Sequence, residues 1–347
     1  RRGAVVVLDP KSGEILALAS APSFDANVFS GAMLAMDWQK ISQNKEHPLR
    51  NRAIGEVYPA GSTFKLILTV AALAEKKITP STVLNCPGYY MFAGRPYRCH
   101  KRTGHGAVDL KRALTVSCNA YYYQVGQMLG IDTINRYAEM LGLGTITGID
   151  IPGEKQGIVP STSWKLKALG ERWYPGETVS ASIGQGYVAI TPLQMAVAAA
   201  TIANGGTVYR PHVVRQIVNP ASGKTIDFSP EVLRRLPISE SVWPQVRDLA
   251  SGVVNLKDGT GTKAALPGIL VAGKTGTAQV AALGKDTNPD LNDHAWFVAF
   301  APKDDAKIAL AVIVENGGHG GSTSAPIARL IFEKFFRKLG MLPPEPI

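Results

Sequence analysis

At 347 residues the chain is longer than one average domain, which points to two domains or one large α/β unit. Its hydrophobic content of 45%, against 18% charged residues, supplies a sizeable core and excludes a disordered chain. The net charge of +10 suits an anionic partner such as acidic lipid or a polyanionic wall polymer, but the basic residues are scattered, with small knots only at His100-Lys101-Arg102 and Arg234-Arg235, and no aromatic-interleaved basic stripe speaks for nucleic acid.

Ala4–Leu8, Asp9–Gly13 and Glu14–Ala19 read as strand, tight turn and strand. The chain enters the first of these almost at once after Arg1-Arg2, as if upstream sequence had been removed together with any membrane anchor. Residues 21 to 57, with Pro, Asn, Ser and isolated hydrophobes, read as a long irregular connection. Tyr58-Pro59-Ala60-Gly61-Ser62-Thr63-Phe64-Lys65 then forms a turn feeding a helix, in which Leu66, Ile67, Val70, Ala71 and Leu73 recur at helical spacing. Residues 80 to 108 have no clear periodicity. Leu110–Leu129 and Ile131–Leu141 read as helices, and 145–170 as turns. Thr191 can cap a helix with Pro192 at its first position, running to Ala203 and stopped by Asn204-Gly205-Gly206. A hairpin follows, of Val213–Val218 and Thr225–Phe228, then a helix over Ser241–Val254. Strands return at Ile269–Ala272 running into Thr277–Val280, at His294–Phe300 and at Ile308–Glu315, before a last helix over about Thr323–Leu339. Strands at both ends and helices between predict an α/β (α+β) fold: an antiparallel sheet subdomain of about 1–60 and 207–347, and a mainly helical insertion of about 61–206. The longest apolar run, Met195–Ala203, is too short to span a bilayer, and no signal peptide is present.

Three short patterns carry chemistry: Ser62-x-x-Lys65, Ser117-Cys118-Asn119 and Lys274-Thr275-Gly276-Thr277. Ser62 and Lys65, three residues apart, share one face of the first helical turn. A serine hydroxyl is a poor nucleophile until a base takes its proton, and a lysine becomes that base when burial disfavours its ammonium form. Unpaired N–H groups at the helix start can stabilise an oxyanion. Taken alone, Ser62 reads as a helix cap, and Lys274-Thr275-Gly276 as an edge strand with a bulge glycine. Ser42-Gln43-Asn44-Lys45 and Lys11-Ser12-Gly13 match the same patterns, but Ser42 lies in a polar stretch with no apolar helix after it and Lys11-Ser12-Gly13 in a hairpin turn, whereas Lys274 sits in a strand-like segment.

In order and wide spacing the three patterns resemble the signature of penicillin-binding proteins. The likeness to class B of that family extends through Leu8–Gly13, Tyr58–Lys65, Ile183–Gly186, Thr191–Gln194 and Gly273–Thr277. Gly104-His105-Gly106, Ser117-Cys118-Asn119 and Leu141–Gly144 favour its elongation branch, the penicillin-binding protein 2 group. Cys118 stands where the pattern usually has Asp. The resemblance implies a transpeptidase fold and a peptidoglycan D,D-transpeptidase that supports cell elongation and shape. In it Ser62 attacks a D-Ala-D-Ala stem peptide and Lys65 accepts the proton. Ser117 bridges Lys65 and Lys274 and relays a proton to the leaving D-Ala, while Asn119 binds a substrate carbonyl. Lys274, Thr275 and Thr277 bind the terminal carboxylate, and Gly276 lets the substrate backbone approach. The N–H groups of Ser62 and Thr277 form the oxyanion hole. The family further implies β-lactams as ligands, a membrane-embedded glycan polymerase and elongation-complex proteins as partners, and a site at the periplasmic face of the inner membrane. A β-lactamase, a D,D-carboxypeptidase or a β-lactam sensor would share these residues.

The chemistry requires no cofactor, but Cys86, Cys99 and Cys118 lie close together in the chain with His100 and His105 between them. A disulfide with a spare thiol, or three free thiols, are open. The sharper expectation is a structural zinc held by Cys86, Cys99, His105 and Cys118, with His105 preferred because Gly104 and Gly106 let backbone fold around a metal. Gly317-Gly318-His319-Gly320-Gly321 reads as a flexible solvent loop that could border the site, and 284–293 as a mobile polar run.

Overall fold

The computed structural model describes residues 1–31, 33–279 and 292–344; the expected strand end at Val280, and the polar run from 284 as far as 291, lie outside them. Five strands, β1 (Gly3–Leu8), β2 (Ile15–Ala21), β3 (Ala272–Ala278), β4 (His294–Ala301) and β5 (Ile308–Val314), form one antiparallel sheet in the order β3-β4-β5-β1-β2. Both chain ends thus build it, as expected. Every residue of β5 is buried, and a strand apolar on both sides has to be covered on both sides. Ala309, Ala311 and Ile313 face the helix Pro192–Ala203, while Leu310 and Val312 face the closing helix Gly320–Lys338 through Phe332 and Phe336.

The helices that matter for the site are α1 (Lys65–Ala74), α2 (Leu110–Thr115), α3 (Asn119–Leu129), α4 (Pro192–Ala203), α5 (Val242–Asn255) and α6 (Gly320–Lys338). α4 begins as its residues dictate. Thr191 Oγ1 accepts from Gln194 N, and Gln194 Oε1 accepts from Thr191 N, both at 3.2 Å, with Pro192 at the first helical position. Being small or apolar at nearly every position, it is buried throughout.

Several segments depart from the expectations. The irregular connection holds a helix over Ala35–Ser42, which has no side-chain cap and buries nothing, so no apolar stripe marked it. The stretch after 145 ends in a helix over Thr162–Leu169, capped by Ser161 and closed by Gly170 at φ +69°. The expected helix over Leu110–Leu129 is two, because Ser117 at φ +57° breaks it. Within 80–108, Leu84–Cys86 pairs with Gly106–Val108 and Tyr89–Phe92 with Arg95–Arg98. The closing helix starts at Gly320 with His319 as its N-cap, so the glycine-flanked histidine is exposed as expected but tied to a helix start. Among the described residues no helix is long and apolar enough to cross a membrane.

Candidate active site

Pro59 and Gly61 bend the chain into a 3₁₀ turn, Gly61–Phe64, that runs straight into α1. Neither helical start has a side-chain cap bond, so the capping role open to Ser62 is not taken; Ser62 lies half-buried in the turn. The turn is pinned from three sides. Gly61 N–H donates to Gly184 O at 2.9 Å, Trp296 Nε1–H donates to Pro59 O at 3.1 Å, and Thr63 Oγ1 donates to Ala60 O at 2.6 Å. Gly61 has φ +55°, and a Cβ there would stand 2.7 Å from Thr277 O, so glycine lets the turn meet β3.

One turn on, Lys65 is fully buried. Its Nζ donates to Asn119 Oδ1 at 2.6 Å, Ser117 O at 2.8 Å and Ser117 Oγ at 3.2 Å, and lies 5.5 Å from the centre of the Tyr122 ring. Burial lowers its pKa from 10.5 to about 8, and the nearby Cys118 and Cys99 sulfurs pull it partly back. Because Asn119 spends its oxygen on Lys65, what it can offer a ligand is its amide N–H₂, which also meets the Tyr123 hydroxyl. Ser117 reaches Lys65 through a left-handed backbone, which costs about 1–3 kcal/mol and marks a conformation the surroundings impose.

Lys274 enters from β3, also fully buried, and donates to Thr275 O at 3.1 Å and Thr275 Oγ1 at 3.4 Å. Burial, and then the Lys65 charge, push its pKa well below the usual lysine value. Ser117 therefore meets Lys65 directly, whereas Lys274 bonds Thr275, so among the described residues the expected bridge from Ser117 on to Lys274 is not made. Thr275 Oγ1 in turn donates to Thr260 Oγ1 at 2.7 Å. β3 is an edge strand, leaving one side for an extended ligand to pair. A Cβ on Gly276 would come within 2.8 Å of Trp296 Cβ and 2.9 Å of Thr63 Cγ2. Its glycine thus serves the close approach of the Ser62 turn, rather than that of a substrate. Thr260, Trp296 and Tyr122 had no signal in the sequence, since each acts through a partner far along the chain.

Behind the Ser117 turn lies the cysteine cluster. The ligand atoms of Cys86, Cys99, His105 and Cys118 all fall within 4.8 Å of one another, and the three thiols are free. His105 Nδ1 stands 3.5 Å from Cys86 Sγ and 3.6 Å from Cys99 Sγ. A tetrahedral Zn²⁺ with usual bond lengths holds S and N about 3.6 Å apart, so the donor set and its spacing fit that ion. Gly104 at φ +80° and Gly106 at φ +70° fold the backbone around His105, whose pKa burial lowers, favouring the neutral ring a metal needs. Asn119 N–H donates to Cys99 Sγ at 3.3 Å, so the cluster touches the residue that holds Lys65.

Residues 3–333 match the sequence profile of a family described as penicillin binding protein transpeptidase domain. The chain is 40% identical over 342 residues to the peptidoglycan D,D-transpeptidase MrdA of Acinetobacter baumannii, covering 96% of this chain and 50% of that protein. Among solved structures it is similar to Pseudomonas aeruginosa PBP2 in complex with WCK 5153 (TM-score 0.88, 34% identity, 99% of this chain and 73% of that one). It also resembles the complex of PBP2 and MreC from Helicobacter pylori (TM-score 0.83, 30% identity, 99% and 61%). The chain spans about half the length of the curated relatives it matches.

Proposed function

The chain belongs to the penicillin-binding protein transpeptidase family, and we propose from that premise that it is a peptidoglycan D,D-transpeptidase of the elongation type, penicillin-binding protein 2. The observation that carries the reading is the triply bonded Lys65 amine one helical turn from Ser62, beside the buried lysine of an edge strand. Once neutral, Lys65 keeps two N–H groups for Asn119 Oδ1 and Ser117 O, gives up the longer bond to Ser117 Oγ, and its lone pair takes the proton as Ser62 Oγ attacks the penultimate D-Ala carbonyl. The N–H groups of Ser62 and Thr277 receive the oxyanion. Ser117 passes the proton to the leaving D-Ala amine. Asn119 offers its side-chain N–H₂ to a substrate carbonyl, and Lys274, Thr275 and Thr277 take the terminal carboxylate. A second stem peptide's amine then attacks the ester, restoring Ser62 and making the crosslink; β-lactams acylate the same oxygen.

Intact mass after benzylpenicillin tests this. One adduct on the unsubstituted chain and none on Ser62→Ala is expected; an adduct that persists in Ser62→Ala ends the reading. The fate of the adduct separates the alternatives. Rapid hydrolysis means a β-lactamase, D-Ala release to water alone a carboxypeptidase, and a stable adduct without crosslinking a sensor domain.

We further propose that Cys86, Cys99, His105 and Cys118 hold a structural zinc, supported by the sulfur–nitrogen spacing and the glycine-flanked ring. The ion would tie the strand Leu84–Cys86 and the turn at Cys99–His105 to the start of α3, and takes no part in acyl transfer. Zinc in protein purified without added metal, with three thiols titrating after chelation and unfolding, is the expected result; one thiol would mean a disulfide. The H. pylori complex with MreC supports an elongation-complex partner here too, and the family supports a glycan polymerase beside it. A peptidoglycan substrate supports action at the periplasmic face of the inner membrane.

A further inference from the structure

His319 was singled out in the sequence, the proposed reaction leaves it without a task, and the fold holds it against the site. Gly320 and Gly321 are pressed onto the strand pair β3–β4 and Thr260, and Gly317 onto β5, while Gly318 faces open space. A Cβ on Gly320 would drive into Trp296 O and stand 2.6 Å from Gly276 O, one on Gly321 would drive into Thr260 O, and one on Gly317 would come within 3.0 Å of Val314 Cβ. Gly276 belongs to the Lys274–Thr277 run, and Thr260 is the partner of Thr275. Glycines here let the turn sit flush on the strand, and His319 carries its outward side chain.

Hydrogen bonds lock the turn. Gly318 N–H donates to Asp293 O at 2.8 Å, and Ser322 and Thr323 N–H both donate to His319 O at 3.1 Å. Thr323 Oγ1 donates to Gly317 O, and Ser324 Oγ to Ala295 O, both at 2.8 Å. The ring is exposed on its outer side, and its Nδ1 lies 3.5 Å from Thr277 Oγ1. Hydrogen bonds of this kind are often long in a ligand-free site and tighten when the ligand arrives.

A threonine hydroxyl has one proton and two lone pairs. If Nδ1 bears no hydrogen, the ring accepts the Thr277 proton and a carboxylate loses it. With a hydrogen on Nδ1, the ring donates to Oγ and the Thr277 proton points outward. We propose that His319 is a positioning residue for carboxylate recognition: its Nδ1–H donates to Thr277 Oγ1 and turns the Thr277 proton onto the donor's terminal carboxylate, or the carboxylate of a β-lactam. This rests on the reading above that Thr277 binds that carboxylate.

Second-order acylation rates with benzylpenicillin and with its methyl ester test the proposal, with thermal melts as a check on folding. His319→Ala is expected to slow the free acid about tenfold, the worth of one hydrogen bond, and the ester less than about twofold. His319→Asn, whose amide N–H reaches the same place, restores most of the rate; His319→Phe, which keeps a ring without the donor, does not. In a Thr277→Val background, removing the histidine changes nothing further. Equal losses on acid and ester, no rescue by Asn, or a full loss in the Thr277→Val background would overturn it. Normal Ser62 acylation with a flat His319 series overturns this inference alone; no Ser62 acylation in the unsubstituted chain overturns the parent reading and this one with it.

Discussion

Lys65 is held between two protonation states by opposing forces: burial strips water from its ammonium, while the Cys118 and Cys99 sulfurs favour the charge, as do the oxygens of Asn119 and Ser117 that it donates to. With a pKa of about 8, the neutral base form grows as pH rises through that value. Acylation of Ser62 is expected to rise through about pH 8 and level off above it, as read from penicillin adduct rates. A guanidinium does not deprotonate, so Lys65→Arg should react about 10²–10⁴ times more slowly, with no such rise. The same shift acts on stability. The folded pKa lies below the unfolded 10.5, so between about pH 8 and 10.5 the unfolded chain binds more protons, and stability rises with pH there. From pH 8 to 9.5 Lys65 should add up to about 2 kcal/mol, with Lys274 acting in the same direction, measurable as a rising urea midpoint.

Among the elements, α4 was the most legible and the Ser117 break the least. Thr191, Pro192, Gln194 and the closing Asn204-Gly205-Gly206 are local signals, and the helix starts and stops on them. Gln194 does more than cap. Its Nε2 donates to Thr145 O at 2.7 Å and Gln156 O at 2.6 Å, stitching the turns of 144–157 to the helix. Thr191→Ala is therefore expected to cost about 1 kcal/mol, the worth of a lost cap. Gln194→Ala should cost about 2 kcal/mol, because the cap bond and the donor to two part-buried carbonyls are lost together; calorimetric melts of the two variants make the comparison. The break between α2 and α3 has no comparable local mark. Ser117 carries no intrinsic preference for φ +57°; it is held there by Lys65, and by Cys118 N–H donating to Ala113 O at 2.8 Å.

Across the whole molecule, the site stands where the sheet from both chain ends meets the helices between them. The Ser62 turn leans on β3 and Trp296, the Ser117 turn hangs from Lys65, and the cysteine cluster braces it from behind. If the cluster holds zinc, removing the ion frees the Cys86–His105 segment from α3 and loosens Asn119. Chelation should then lower the melting temperature and slow penicillin acylation several-fold, and zinc should restore both. Unchanged acylation in metal-free protein would separate the cluster from the site.

What the sequence determined by itself is what acts over a turn or two: Ser62 and Lys65 on one face, the α4 cap, the apolar strands β1, β4 and β5, and the four metal-type ligands near one another in the chain; β3 runs Ala272–Ala278, through the polar Lys274–Thr277 between the two apolar ends read as strand. Tertiary structure decided the rest. It set Lys274 beside Lys65, turned Asn119 Oδ1 onto the lysine, gave Gly276 to the Ser62 turn, and pressed His319 against Thr277. These contacts join residues tens to hundreds of positions apart. Their geometry follows from how strands register and helices pack, and no local spacing encodes that.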